Sequence, residues 1–144
     1  MRRFSPTVGL ASMLLGMSIA TGACDASFRA PGESTDSEPV LEAAEGYASY
    51  YAPRFDGKTT ASGAVFDNGA MVAAHPRYPF GTIVRVTNLQ NQQSVNLRIV
   101  DRGPSRALRA RGTLIDVSRA AAERLDFIER GRVRVKVEVL TWGR

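Results

Sequence analysis

The segment Arg98-Ile99-Val100-Asp101-Arg102-Gly103-Pro104 closes an apolar run with a carboxylate, a guanidinium and two residues that force a turn. A carboxylate delivered to a strand end faces a cleft, where it suits general acid and base work; the same spacing serves equally an Asx turn that caps the strand. In Met71-Val72-Ala73-Ala74-His75-Pro76 the only His of the chain ends a small apolar run. An imidazole there either assists proton transfer or, more often, makes a structural hydrogen bond. A third candidate is the loop Lys58-Thr59-Thr60-Ala61-Ser62-Gly63-Ala64, whose Thr60 and Ser62 hydroxyls either bind sugar hydroxyls or make local turns. One His and one Cys (Cys24) exclude a disulfide scaffold and a conventional zinc site, so no metal and no cofactor is expected. Chemistry has to come from carboxylates, hydroxyls and arginines.

The elements that must position these residues are mainly strands. Gly46–Tyr51, Thr82–Thr87, Ser94–Val100 and Arg132–Leu140 are short, apolar and bounded by turns. In the last, Val133, Val135, Val137 and Val139 alternate with Arg132, Arg134, Lys136 and Glu138, the period of a strand with one buried face. Asn88 to Gln93 reads as a hairpin turn. One helix is expected from a Ser118 cap through the alanines to Leu125. Five or six strands with one short helix imply a mainly β fold, a small barrel. Tyr50, Tyr51, Tyr78 or Trp142 are candidates to stack on sugars, with at most one of the adjacent Tyr50 and Tyr51 facing a groove.

The 144 residues leave room for one domain and something short. Arg2 and Arg3 precede an apolar stretch from Val8 to Ala20 and the small residues Thr21-Gly22-Ala23-Cys24, the pattern of an export signal over residues 1–23. The end resembles a bacterial lipoprotein box with Thr21 in place of its usual Leu, which makes Cys24 the lipidation candidate. Residues 24–45 hold six acids, one base and several Pro, Gly and Ser, a composition with too little apolar surface to order itself, and read as a disordered tether. Residues 46–144 hold sixteen Lys and Arg against eight Asp and Glu, a net +8, so an anionic partner is expected. No nucleic-acid motif accompanies that charge.

Gly46-Tyr47-Ala48-Ser49-Tyr50-Tyr51, Thr59-Thr60-Ala61-Ser62-Gly63, Ala73-Ala74-His75, Pro79-Phe80-Gly81-Thr82, Val86-Thr87-Asn88-Leu89, Asp101-Arg102-Gly103-Pro104 and Ile115-Asp116-Val117-Ser118 together resemble the rare lipoprotein A family across nearly all of residues 46–140. The resemblance implies a six-stranded double-psi β-barrel, as in expansins. It also implies endolytic lytic transglycosylation of peptidoglycan glycan strands lacking stem peptides, cut between N-acetylmuramic acid and N-acetylglucosamine to leave 1,6-anhydro ends. In those terms Asp101 is the catalytic acid/base and His75 assists or positions. Tyr50, Thr60, Ser62 and Arg102 bind substrate, Arg102 through the lactyl carboxylate of N-acetylmuramic acid. The implied setting is the cell envelope, on a lipid anchor facing the periplasm, with cell-division proteins as candidate partners and no nucleic acid.

One position departs from the pattern. Active relatives carry Glu where this chain has Ala64, and Asp67 lies three residues on. Lytic transglycosylation tolerates one carboxyl group because the nucleophile is the sugar's own 6-hydroxyl. The alternative is an expansin-like protein that grips glycan strands without cutting them.

Overall fold

The computed structural model describes residues 38–144. The expected signal segment, Cys24 and most of the tether lie outside them. The described residues form six strands: β1 (Glu42–Tyr50), β2 (Val72–Ala74), β3 (Ile83–Asn88), β4 (Ser94–Asp101), β5 (Thr113–Val117) and β6 (Val133–Thr141). They close into a barrel in the order β1-β5-β2-β4-β3-β6. The pairs β1–β5 and β2–β4 run parallel, and the other four run antiparallel. Closure leaves no sheet edge unpaired.

The valine alternation of β6 does what its period requires. Val133, Val135, Val137 and Val139 are buried and meet Val84, Val86, Leu97, Ile99, Ile115 and Val117 from the facing strands. Each such side chain contributes about 1.5–3 kcal/mol when fully buried. Glu138 falls on the outer face, where Arg85 at 3.0 Å and Lys136 at 2.8 Å compensate its charge. Asn88 opens the β3–β4 turn and is buried there because its side-chain amide donates to the Leu125 carbonyl at 2.8 Å.

Three expectations change. The strand read from Gly46 begins at Glu42, so residues 42–45, counted above with the tether, pair with Val139 to Lys136 of β6. Backbone pairing needs no apolar side chain, so composition missed it. Two α-helices stand among the described residues where one was expected. α2 (Arg119–Arg124) is capped as read, with Ser118 Oγ accepting from the Ala121 amide at 3.2 Å. α1 (Arg106–Ala110) was missed because its five residues bury no side chain fully and show no apolar face. Finally, β2 and β5 were not read as strands; β2 has only three residues, too few to display a period.

Candidate active site

The three-residue strand β2 builds the site. Its last residue, Ala74, pairs with Asp101 of β4 on one side and with Asp116 of β5 on the other. Asp116 in turn pairs with Ser49 of β1. Four strands thus carry Ser49, Asp116, Ala74 and Asp101 in one row. The two acids stand two strand spacings apart at the backbone, about 10 Å. Ala74 contributes only a methyl group between them. On the next loop a Cβ at Gly103 would stand 3.4 Å from both Ala74 Cβ and Asp116 Oδ2, so glycine lets the backbone close on this carboxyl.

Both acids line one open cleft of about 660 Å³, with Tyr50, Tyr51, Arg54 and Arg109 among its walls. Their surroundings differ. Asp101 receives three hydrogen bonds: Oδ1 from the amides of Ala61 and Arg102, each at 2.8 Å, and Oδ2 from the Tyr51 hydroxyl at 2.8 Å. Donors on both oxygens suit an anionic acceptor. Burial and the neighbouring Asp101 push the Tyr51 phenol well above its usual range, so it remains a donor. Its ring is held by Phe66 at 4.2 Å and Phe55 at 5.4 Å. Asp116 is partly buried and faces the negative charge of Asp101. Burial pushes its carboxyl up, a hydrogen bond from Ser49 pulls it partly back, and Asp101 pushes it up again. One carboxyl is therefore held by three donors, and the other is pushed up by burial.

His75 sits behind this row, outside the cleft lining, at 2% exposure. Its Nδ1 accepts from the amides of Arg77 at 3.2 Å and Tyr78 at 3.0 Å, which leaves the ring proton on Nε2. Nε2 has no partner among the described residues. The ring stacks on Tyr78 at 3.6 Å. Burial, then the charges of Arg77 and Arg102, push the imidazole down to about 4, so it is neutral at neutral pH. Its link to the site is through backbone, the His75 amide donating to the Asp101 carbonyl at 3.2 Å.

The remaining expected site residues divide. Tyr50 lines the cleft, its hydroxyl donating to the Ile128 carbonyl at 3.1 Å and its ring meeting Phe127 edge-on. Tyr51 borders it too, its hydroxyl on Asp101, while the Tyr50 ring and hydroxyl turn to Phe127 and Ile128. Thr60 is buried, with its hydroxyl on the Ala64 carbonyl and beside Ser62 Oγ, both at 2.9 Å. Neither hydroxyl lines the cleft; the loop instead supplies the Ala61 amide to Asp101. Arg102 borders the cleft, but its guanidinium donates to the Tyr78 carbonyl at 2.8 Å and lies 3.8 Å over Phe80. Asp67 accepts from the Gly69 amide of its own turn and lies outside the cleft lining, so it does not stand in for the acid missing at Ala64. Tyr78 and Trp142 pack on each other away from the cleft.

Residues 43–137 match the family described as lytic transglycolase. The chain belongs to this family. The family's barrel also appears in the Streptomyces papain inhibitor (TM-score 0.56, 23% identity, 72% of this chain and 98% of that one). An expansin of Clavibacter michiganensis is similar at TM-score 0.54 and 16% identity, over 72% of this chain and 52% of that one; both likenesses concern fold. In sequence, the chain is 54% identical over 93 residues to a probable endolytic peptidoglycan transglycosylase RlpA of Treponema pallidum, covering 65% of this chain and 28% of that protein. It is 41% identical over 104 residues to the endolytic peptidoglycan transglycosylase RlpA of Campylobacter jejuni, covering 72% and 36%. The chain therefore spans about a third of the length of these relatives.

Asp116 is the residue that sequence reading of the chemistry passed over. A signal was present: a carboxylate interrupts the apolar run Leu114-Ile115-Asp116-Val117, and a charge within a barrel strand needs a reason. Its proximity to Asp101, fifteen positions away, was not in the sequence.

Proposed function

We propose that the domain cuts peptidoglycan glycan strands by lytic transglycosylation, with Asp116 as the acid and Asp101 as the base. The observation that carries this reading is the pairing of two carboxyl groups at one cleft, one facing three donors and the other pushed toward its protonated form. Asp116 gives its proton to the oxygen between N-acetylmuramic acid and N-acetylglucosamine as the bond from that oxygen to the muramoyl C1 breaks. The muramoyl 6-hydroxyl oxygen attacks C1 and closes the 1,6-anhydro ring, and its proton passes to Asp101. No water is consumed, and return of the proton from Asp101 to Asp116 restores the pair. Tyr51 holds Asp101 in position, while His75, Arg102 and Phe80 fix the loops behind it.

The names of the relatives support this activity and substrate, and with them an action in the cell envelope. The export pattern and Cys24 support a lipid anchor that keeps the domain at a bacterial membrane on its periplasmic side. Replacing Cys24 by Ala releases the protein from membranes under this reading; unchanged fractionation removes the anchor. The second reading, a glycan-binding protein without cleavage, draws on Ala64. Incubation with stripped glycan strands, followed by mass analysis for 1,6-anhydro ends, separates the two. Products that disappear in Asp116→Asn and Asp101→Asn support cleavage, whereas binding without products supports the second reading.

A further inference from the structure

The cleft holds a group of cations that the chemistry above does not use. Arg54, Arg106 and Arg109 line it together with Asp101 and Asp116, and none of the three forms a salt bridge with a described carboxylate. Arg106 and Arg109 are three residues apart on α1, neighbours on one helix face. The capping Ser105 and the half-buried Leu108 beside them also line the cleft. α1 packs on β5, the strand that carries Asp116, so these arginines are positioned by the same element as the proposed acid. Arg54 approaches from the short 3-10 turn Pro53–Phe55 after Tyr51, its guanidinium 4.8 Å from the Phe55 ring centre. Arg102, by contrast, is occupied by carbonyls and by Phe80. The three place positive charge along the cleft. Any anionic strand that approaches the two aspartates needs such a counterweight.

Resting on the reading of the cleft as a glycan site, we propose that Arg54, Arg106 and Arg109 bind the free lactyl carboxylate of muramoyl sugars and so select the strand that is cut. Arginine matches a carboxylate with two parallel hydrogen bonds. The lactyl carboxylate is free only where the amide to the stem peptide has been hydrolysed, so the contact tells a stripped sugar from a substituted one. A stem peptide has carboxylates of its own, and the test separates that source.

The full chain carrying Asp116→Asn, which holds strands uncut, is titrated by calorimetry with three ligands. These are stripped glycan oligomers, the same oligomers with their lactyl groups converted to methylamides, and oligomers that retain stem peptides. The stripped oligomer binds roughly tenfold more tightly than the methylamide, as expected for a charge-assisted contact. Added salt narrows the difference. Arg106→Gln with Arg109→Gln removes most of it, Arg54→Gln removes part, and Arg130→Gln, outside the cleft and bonded to Gln90, leaves it intact. Equal affinity for stripped and methylamide oligomers overturns the proposal, as does an equal loss for both in the arginine variants. Peptide-bearing oligomers that bind as tightly as stripped ones, and lose that affinity in the same variants, overturn the lactyl assignment. Arginine-dependent binding in a wild-type chain that forms no anhydro ends sinks the cleavage reading and leaves this one standing.

Discussion

Two polar clusters meet at the end of β2, and they differ in access to water. In front, Asp101 and Asp116 flank Ala74 at an open cleft. Behind, His75 is sealed against Tyr78, with the Arg102 guanidinium bonded to the carbonyls of both residues. Each contains a titratable group moved by burial, yet with opposite consequences. Burial pushes the Asp116 carboxyl up at a surface a sugar can reach, whereas it holds His75 neutral where nothing from solvent arrives. A perturbed group is a candidate for catalysis only when its atoms face a space that a substrate can enter.

The contrast is broken most severely by removing the front acid. Asp116→Asn lowers formation of anhydro ends by roughly a hundredfold or more while the fold persists, the scale of a lost general acid. Mass analysis of digests together with circular dichroism checks both halves. Rates within threefold of wild type would return the acid role to Asp101 alone.

Replacing the rear group has the converse signature. His75→Ala leaves the Arg77 and Tyr78 amides without their acceptor and removes the ring stacked on Tyr78, destabilising the domain by about 2–4 kcal/mol in denaturant titrations. Cleavage by the fraction that remains folded falls far less than in Asp116→Asn. A loss of activity as deep as that of Asp116→Asn, with stability unchanged, would bring the imidazole into the reaction.

The two clusters also oppose each other in pH. The His75 contribution to stability is present above its ordinary value of 6.5 and is lost as pH falls toward about 4, on the order of 3 kcal/mol at full extent. The Asp116 contribution has the other sign, present below the ordinary 3.8 and lost as pH rises through its raised value. Stability measured against pH in Asp116→Asn therefore lacks the decline on the alkaline side, and in a His75 variant the decline on the acid side. Identical profiles in wild type and both variants would contradict the burial argument for each group.

Smaller effects sharpen the picture. Tyr51→Phe removes one of three donors to Asp101, worth about 1 kcal/mol, and lowers the rate of anhydro-end formation roughly fivefold in mass-analysed digests. Ala64→Glu changes the cleavage rate by less than about threefold, well below the effect of a positioned general acid, because Ala64 lies on an exposed loop outside the cleft lining. A gain of an order of magnitude or more would show that a carboxyl at that position still reaches the strand.

Much of the barrel was legible because a strand's alternation is a local property: four valines of β6 and the Val95, Leu97, Ile99 series of β4 declare their inner face without reference to a partner. The Ser118 cap is local in the same way, since its hydroxyl and the amide it accepts from are three residues apart. β2 carries no such record in its three residues, and neither does the pairing of β1 from Glu42, which uses backbone alone. Of the site, Asp101 at its strand end could be read, whereas Asp116, set within an apolar run, was assigned no role.

The sequence alone determined which residue types were available for chemistry, the family resemblance, the charge of the domain and the faces of its longer strands, because these depend on composition and on neighbours a few residues away. The tertiary structure decided that Ala74 lies between two aspartates, that Tyr51 donates to one of them, and that the imidazole is sealed. Those are outcomes of strand order and register around a closed barrel, which join residues that no local pattern connects.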